Sequence, residues 1–531
     1  MKGSEPLPMW KHKGAVLIIG LLIASGITAR FCNLGRMVYW KDEAFTSVWI
    51  SGFRWSEVKK DLADRKVTPR DVLRYQRLDP ERNVVDTVRA LTDYDPHHPP
   101  LYYALVRLWA GLAGDSVGAV RAFSALASVF ALPLIFWICR LLFQERSVAW
   151  AAVALVAVSP FHILYAREAR PYAAWMIPTL LSTLALLKAA DSRSLKAWCA
   201  YSLTIAAGLY VHLLFLTVLA AHGLYIGLAG FQSWPPKGRR LFREYKAFLL
   251  SSLLGLLLFM PSAFLLIPHG ARAAAKLSWA GEPIRPLLLL ARWGFNYSVL
   301  FLDTNCSGQF AESLSPATVA VRVLQVFILL GVLYAMWFTW RTARRQTALL
   351  VLTLIGGPFL VLATSDLFLG GWLSGVARFL VPSYLGVHIA MAYLVTAKCE
   401  TARKPYRAIA GAGLLLAGAL SCVMIVRAET WWTKPTQYYT PEVARIVNQS
   451  PHPLLITPME GEMISIAHGL HANVRILPVT EQTDLGALEG EGETFLYDPE
   501  GDLFERMAKI PGVISTPWSK KAGLWRLEKR E

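Results

Sequence analysis

Charge is what this chain is short of. Only 17% of its 531 residues are Asp, Glu, Lys or Arg, against about 25% in soluble globular proteins, so water is not the only solvent it is built for. Cysteine is sparse as well. Cys32, Cys139, Cys199, Cys306, Cys399 and Cys422 lie far apart and mostly inside apolar runs, which excludes a disulfide framework and the close ligand spacing of a structural metal site. The sequence has no internal repeat and no low-complexity tract. What fills it instead is apolar: 54% hydrophobic residues, 19 Trp, 24 Phe and a mean hydropathy of +0.39. That is more apolar surface than one core can hide, and the surplus must face lipid. The excess of 54 Lys and Arg over 37 Asp and Glu, a net charge of +17, calls for no nucleic-acid partner, because cytoplasmic loops of membrane proteins collect basic residues.

Hydrophobic runs approaching the ~20 residues that cross a hydrocarbon layer ~30 Å thick occur near residues 14–31, 118–139, 147–165, 171–187, 197–212, 213–230, 247–267, 317–340, 347–365, 378–396 and 408–426, eleven in all. The first is read as an uncleaved anchor, since Ala29-Arg30-Phe31-Cys32 makes a poor signal-peptide cleavage site. With the amino terminus inside, the inward segments collect Lys2, Lys11 and Lys13, then Arg140 and Arg146, then Lys188, Arg193 and Lys196, then the basic clusters at 237–246, 341–345 and 398–407. The outward connections after the first long loop carry fewer, namely Arg167, Arg170, Arg272, Lys276, Arg285, Arg292 and Arg378. The asymmetry places the amino terminus in the cytoplasm and the carboxyl tail outside. Residues 101–114 are apolar but short, with Arg107 in the middle, and are read as an amphipathic helix lying along the outer interface. After residue 427, strand-like runs at 454–457, 474–477, 494–497 and 524–527 alternate with amphipathic stretches at 442–447 and 503–510, the pattern of a small α/β domain. The expected architecture is an all-α polytopic membrane protein of about eleven transmembrane helices over residues 1–427, with interfacial helices in the outer loop 32–117, and an extracytoplasmic α/β domain over 428–531.

On that topology the unusual polar residues gather on the outward side. Asp42 and Glu43 follow the first span among aromatics, and Asp93-Tyr94-Asp95-Pro96-His97-His98-Pro99-Pro100 closes the outer loop. Arg167-Glu168-Ala169-Arg170-Pro171-Tyr172 joins the third and fourth spans, Tyr210 and His212 end the fifth, and Arg378 opens the tenth. Each has a plainer reading. Asp42 and Glu43 suit a solvated loop, Arg167, Glu168 and Arg170 suit a helix junction, and His97 suits the turn before Pro99-Pro100. His212 suits a packed interface and Arg378 an interfacial anchor. Asp93-Tyr94-Asp95 fits the D-x-D pattern of metal-dependent sugar transfer, but three residues are a weak match.

The order of these motifs resembles the integral-membrane glycosyltransferases of the GT-C superfamily, in the branch of the protein O-mannosyltransferases and the lipid A aminoarabinose transferases. The resemblance rests on Asp42-Glu43, His98-Pro99-Pro100-Leu101-Tyr102-Tyr103, Arg121-Ala122-Phe123, Ser159-Pro160-Phe161-His162, Glu168-Ala169-Arg170-Pro171-Tyr172 and Ala377-Arg378-Phe379. It covers roughly residues 15–400. It implies the GT-C fold and transfer of a sugar, with inversion, from a polyprenyl-phosphate carrier to a hydroxyl of a lipid, glycan or protein on the outer face of a bacterial inner membrane. Asp42, Glu43 and Glu168 are then the catalytic candidates, with Asp42 as base, and His98, Arg170, Tyr172, Tyr210, His212 and Arg378 the substrate and phosphate candidates. A divalent cation, Mg or Mn, on Asp42, Glu168 and His212 stands beside an arginine-only alternative. A lipid or solute transporter, or flippase, is the competing class; it more naturally shows repeat halves and mid-membrane ionisable groups. The sequence lacks a Gly-rich phosphate loop, which argues against a sugar-nucleotide enzyme.

Overall fold

In lipid, each backbone N–H and C=O must find its partner within the segment, so the long apolar runs become helices. A computed structural model describes residues 13–231, 238–270, 278–305, 315–396, 405–484, 493–498, 500–510 and 513–529. Lys2, Lys11, Lys237, Arg272, Lys276, Lys398, Arg403, Lys404, Cys306 and Cys399 lie outside these residues. The chain opens with α1 (Lys13–Phe31), and its first long loop folds as α2 (Lys41–Ile50), α3 (Trp55–Leu62), α4 (Pro69–Leu73) and α5 (Val84–Tyr94), followed by α6 (Leu101–Ala113). Next come α7 (Val117–Phe143), α8 (Arg146–Ala157), α9 (Pro160–Ala166), α10 (Tyr172–Ser192), α11 (Leu195–Val211) and α12 (Phe215–Phe231). They are followed by α13 (Gly238–Leu266), α14 (Pro286–Ser298), α15 (Pro316–Thr342), α16 (Arg345–Leu369), α17 (Val381–Thr396) and α18 (Pro405–Arg427).

Among the described residues, eight helices are long and apolar enough to cross a membrane, or nine if α8 and α9, bent by 58°, count as one crossing. The count of about eleven also took in α11 and α12, each of 17 residues and so ~25 Å long, short of the full hydrocarbon thickness.

The chain divides into two compact units. One comprises Met1–Cys32, Asp95–Tyr102 and Ser124–Val426; the other comprises Asn33–Tyr94, Tyr103–Phe123 and Arg427–Glu531. This differs from the linear division at residue 427, since the first long loop segregates with the carboxy-terminal region.

In the first unit the break between α8 and α9 falls at Ser159-Pro160, where Pro160 has no N–H to continue the ladder. The carbonyls freed at the end of α8 are met by Arg30 of α1, which is fully buried. Its guanidinium donates to Val156 O at 3.1 Å, Ala157 O at 2.6 Å, Gly26 O at 2.7 Å and Ser128 Oγ at 2.9 Å. The contact needs a glycine, because a Cβ on Gly26 would stand 2.2 Å from the Ala157 oxygen.

In the second unit, α19 (Thr440–Val447), α20 (Gly461–Ile466) and α21 (Asp502–Met507) accompany a five-stranded sheet of order β2-β1-β3-β5-β4. The strands are β1 (Leu454–Pro458), β2 (Arg475–Val479), β3 (Thr494–Tyr497), β4 (Val513–Ser519) and β5 (Leu524–Lys529). Parallel β2, β1 and β3 place Ile456 beside Leu477 and Leu496, and β5 runs antiparallel to β3 and β4. Leu454, Ile456, Leu477, Val479 and Leu496 pack with Leu503 and Met507 of α21 as one core. The long loop is stitched to the β2 edge, where Val67 exchanges two 2.8 Å backbone hydrogen bonds with Ile476 and Asp64 N–H reaches Pro478 O. Arg107 of α6 donates to the carbonyls of Ile50 and Arg82, so a charge that looked out of place in an apolar run gathers loop backbone in this unit.

Replacing Arg30 by Met leaves several buried carbonyls without a donor. The expected cost is on the order of 3 kcal/mol, read as a lower unfolding temperature in detergent with Arg30→Lys in between; an unchanged unfolding temperature for Arg30→Met contradicts this role.

Candidate active site

The polar residues of the membrane unit converge on the turn between α9 and α10. Arg167 donates to Ala29 O at 2.7 Å and to Cys32 O, capping the end of α1 as a cation at a helix C-terminus does; the junction reading holds for this arginine. Glu168 and Arg170 are buried beside it. The Arg170 carbonyl accepts from Ser124 Oγ at 3.2 Å, and that hydroxyl is 2.8 Å from Tyr102 Oη. Nη2 of Arg170 donates to His98 Nε2 at 2.7 Å, which makes that nitrogen an acceptor and the ring neutral. Burial, and then the basic neighbours His97, Arg170, His212 and Arg378, hold the His98 pKa well below its ordinary value. His97 Nδ1 sits 2.7 Å from Asp95, in keeping with a turn residue.

His212 follows the last residue of α11, stacks on Trp175 at 4.4 Å with an interplanar angle of 8°, and accepts from Leu214 N–H at 3.2 Å. Tyr172 lies 5.9 Å from the His212 ring. Arg378 rides on a 3-10 turn, Ala377–Leu380, ahead of α17. The preceding loop is held by Asp366, whose carboxylate accepts from Leu373 N–H, Ser374 N–H and Ser374 Oγ at 2.5 to 2.8 Å. Gly371, at φ +103°, brings the loop so close to Ala280 that a Cβ would meet its oxygen at 2.3 Å. The Arg378 guanidinium is ringed by Phe379, Trp279 and Tyr172 at 5.4, 5.8 and 6.0 Å, an aromatic setting that suits arginine better than lysine. Tyr210 has a different setting: its hydroxyl donates to Leu258 O at 3.3 Å and its ring packs on Phe259 of α13.

Cations therefore outnumber what a metal site needs. Among the described residues, the group of three acid or imidazole side chains close enough to share an ion is Asp95, His97 and His98. One carboxylate and two imidazoles suit Mg or Mn poorly, since both prefer oxygen ligands, and Arg170 already lies on His98. Of the trio expected from sequence, Asp42 belongs to the second unit and Glu168 and His212 to the first. Asp95, His97 and His98 do not fit a Mg or Mn ion, and the positive charge beside them is the Arg170 guanidinium.

In the second unit, Asp42 and Glu43 occupy the first turn of α2, where carboxylates are favoured by the helix dipole. Their settings differ. Glu43 is fully buried and takes a two-pronged bond from Arg121 of α7, Nε to Oε1 at 2.8 Å and Nη2 to Oε2 at 2.7 Å, with Lys434 Nζ at 3.7 Å. Arg121 also gathers the carbonyls of Leu34, Met37 and Val38 at 2.6 to 2.9 Å. Glu43 is thus a counter-ion fixed in a scaffold. Asp42, turned ~100° around the helix, is only half-buried. Lys434 escaped the sequence reading, although Trp431-Trp432-Thr433-Lys434-Pro435 directly after the last membrane helix was a usable signal. Trp175, which stacks on His212, also escaped it.

Residues 97–264 match the model of the dolichyl-phosphate-mannose-protein mannosyltransferases, a stretch that holds His98, Arg121, Glu168, Arg170, Tyr172 and His212. ArnT from Cupriavidus metallidurans in the apo state superposes with a TM-score of 0.51 at 13% identity, over 97% of this chain and 98% of that one. The fold is that of ArnT. The same Cupriavidus metallidurans protein bound to undecaprenyl phosphate gives a TM-score of 0.49 at 12% identity and the same coverage. The oligosaccharyltransferase of Archaeoglobus fulgidus, tethered to an acceptor peptide, gives 0.42 at 11% identity, over 90% of this chain and 65% of that one. No curated protein matches the chain in sequence.

Two predictions follow from the site's electrostatics. Arg121→Met removes both short hydrogen bonds to the buried Glu43 carboxylate and is expected to cost about 3–5 kcal/mol; additive losses of Arg121→Met and Glu43→Gln in a thermal-unfolding cycle contradict the ion pair. For His98, the depressed pKa means that the unfolded chain takes up a proton near pH 6.5 that the folded chain refuses. The stability so contributed is complete above that pH and lost as pH falls toward the folded value. The unfolding temperature of the wild type is therefore expected to drop more steeply between pH 7.5 and 5.5 than that of His98→Gln, and parallel curves contradict it.

Proposed function

We propose that the protein transfers a sugar from a polyprenyl-phosphate carrier to a hydroxyl on a lipid, glycan or protein acceptor at the extracytoplasmic face, with its amino terminus in the cytoplasm and the residues after 427 outside. The observation that carries this reading is the buried pairing of Arg170 with a neutral His98, in a setting whose charge also includes Arg378. Such a surplus of positive charge favours an anion, and the phosphate of a lipid carrier is an anion delivered from the bilayer side. A polyprenyl phosphate, the class of lipid held by the Cupriavidus metallidurans protein, leaves readily once its developing charge is met by fixed guanidinium groups.

The acceptor hydroxyl needs the opposite help. Asp42 removes its proton as the oxygen attacks the anomeric carbon, a contribution of about 10²- to 10⁴-fold. The bond to the phosphate breaks on the far side, so the sugar is inverted, and the phosphate departs with the bonding pair. Glu43 holds α2 in place rather than taking the proton, because its carboxylate is committed to Arg121. Glu168 orients the acceptor.

The test is transfer by the purified protein from a radiolabelled polyprenyl-phosphate sugar to extracted envelope acceptors. Asp42→Asn is expected to lose at least about 100-fold in kcat, and Arg378→Gln to lose both rate and carrier affinity. Undiminished transfer by Asp42→Asn removes it as base. Vesicle transport of the labelled lipid with no acceptor product overturns the transferase reading.

A further inference from the structure

We propose that the carboxy-terminal region supplies positioning residues for the reaction, Lys434 and Glu462, which together fix the start of α2 on both sides of Asp42; this deepens the reading in which Asp42 is the base. α2 lacks a cap of its own, since Trp40 at its N-cap position makes no side-chain hydrogen bond to the helix. The open N–H of Lys41 is met from the far end of the chain, by Gln437 Oε1 at 3.3 Å, where a helix start needs an acceptor. Gln437 Nε2 in turn donates to Glu462 Oε1 at 3.1 Å, and the same oxygen accepts from Lys41 Nζ at 3.2 Å. Glu500 takes a further bond from Lys41 Nζ at 2.7 Å.

On the other side of Asp42, Lys434 Nζ lies 3.7 Å from Glu43 Oε2 and 5.0 Å over the Trp40 ring. The two neighbours of Asp42 in the chain are thus each clamped by residues from beyond Arg427. The approach is close throughout: a Cβ on Gly461 would stand 2.5 Å from Lys41 Cβ, and Ser465 Oγ donates to Tyr39 O at 2.6 Å.

Lys434 is the informative member. Glu43 is already paired by Arg121, so neutrality does not require a second cation, and a fully buried ammonium carries a desolvation cost that a hydrophobic residue of the same length avoids. Its return is directional. Arg121 pulls Glu43 toward the 34–38 backbone, and Lys434 pulls the same carboxylate toward Trp40, so α2 is held against rotation about its own axis. A base displaced by about 1 Å loses on the order of 100-fold in rate while substrate binding, made elsewhere, persists.

The experiment uses the full-length purified protein and the radiolabelled polyprenyl-phosphate sugar, with Lys434→Met, Glu462→Gln and Asp42→Asn measured side by side. Lys434→Met and Glu462→Gln are each expected to lower kcat at least about tenfold, with KM for the carrier within about twofold and an unfolding temperature within a few degrees of wild type. A wild-type kcat in both folded variants overturns the positioning role, as does a loss that appears in KM with kcat unchanged. Should Lys434→Met fail to fold, the isosteric Glu462→Gln decides alone. An active Asp42→Asn instead sinks the base assignment itself, and an inactive Asp42→Asn beside fully active Lys434→Met and Glu462→Gln sinks only the clamp.

Discussion

A charge placed where water cannot follow has to bring its own partners, and among the described residues Arg30, Arg167, Glu43 and Arg121 obey that constraint. Arg30 is tolerated inside the membrane unit because α8 breaks beside it and offers carbonyl oxygens. Arg167 is tolerated because α1 ends beside it. Glu43 is tolerated, fully buried, because Arg121 and Lys434 both stand against its carboxylate. The constraint also works in reverse. Once a break, a helix end or a loop supplies the partners, an ionic group can be held to a fraction of an ångström without water to loosen it.

That rigidity is what the chemistry uses. Sugar transfer from a lipid phosphate asks for fixed positive charge on one side of the reacting carbon and a carboxylate on the other, with little reorganisation during the step. The first unit holds two guanidinium groups in fixed settings, Arg170 against the neutral ring of His98 and Arg378 among aromatic faces. In the second unit the two neighbouring carboxylates at the start of α2 have different settings. Glu43 is consumed by the scaffold; Asp42, on a different face of the same helical turn, keeps the exposure that a proton acceptor needs. The donor atoms at Asp95, His97 and His98 are poorly chosen for Mg or Mn.

How much of this could be read beforehand depended on the range of the interaction. The spans were legible because hydropathy is local, and so were strands β1, β2, β3 and β5, whose apolar runs point at one core. The edge strand β4 was missed: Pro517 and the exposed Trp518 interrupt any alternation, as edge positions allow. The bend at Ser159-Pro160 was hidden inside one continuous apolar run. The residue types of the site, and even their order, were visible, but their partners were not. Arg121 and Glu43 are 78 positions apart, and Lys41 and Glu462 are 421; nothing local announces either pair. For the same reason the carboxy-terminal region read as an appendage at residue 428, when its residues cap the helix that carries Asp42. Lys434 could have been suspected only as a lone cation in an aromatic stretch.

The central proposal is that two guanidinium groups, the buried Arg170 and the half-buried Arg378, recognise the phosphate of a lipid carrier. The most direct measurement is the affinity of the purified protein for undecaprenyl phosphate beside undecaprenol of the same chain length. The account predicts that the phosphate adds at least about tenfold, ~1.4 kcal/mol, and that this advantage vanishes when Arg170 and Arg378 are both replaced by Gln. Equal binding of the two lipids by the wild-type protein would contradict it.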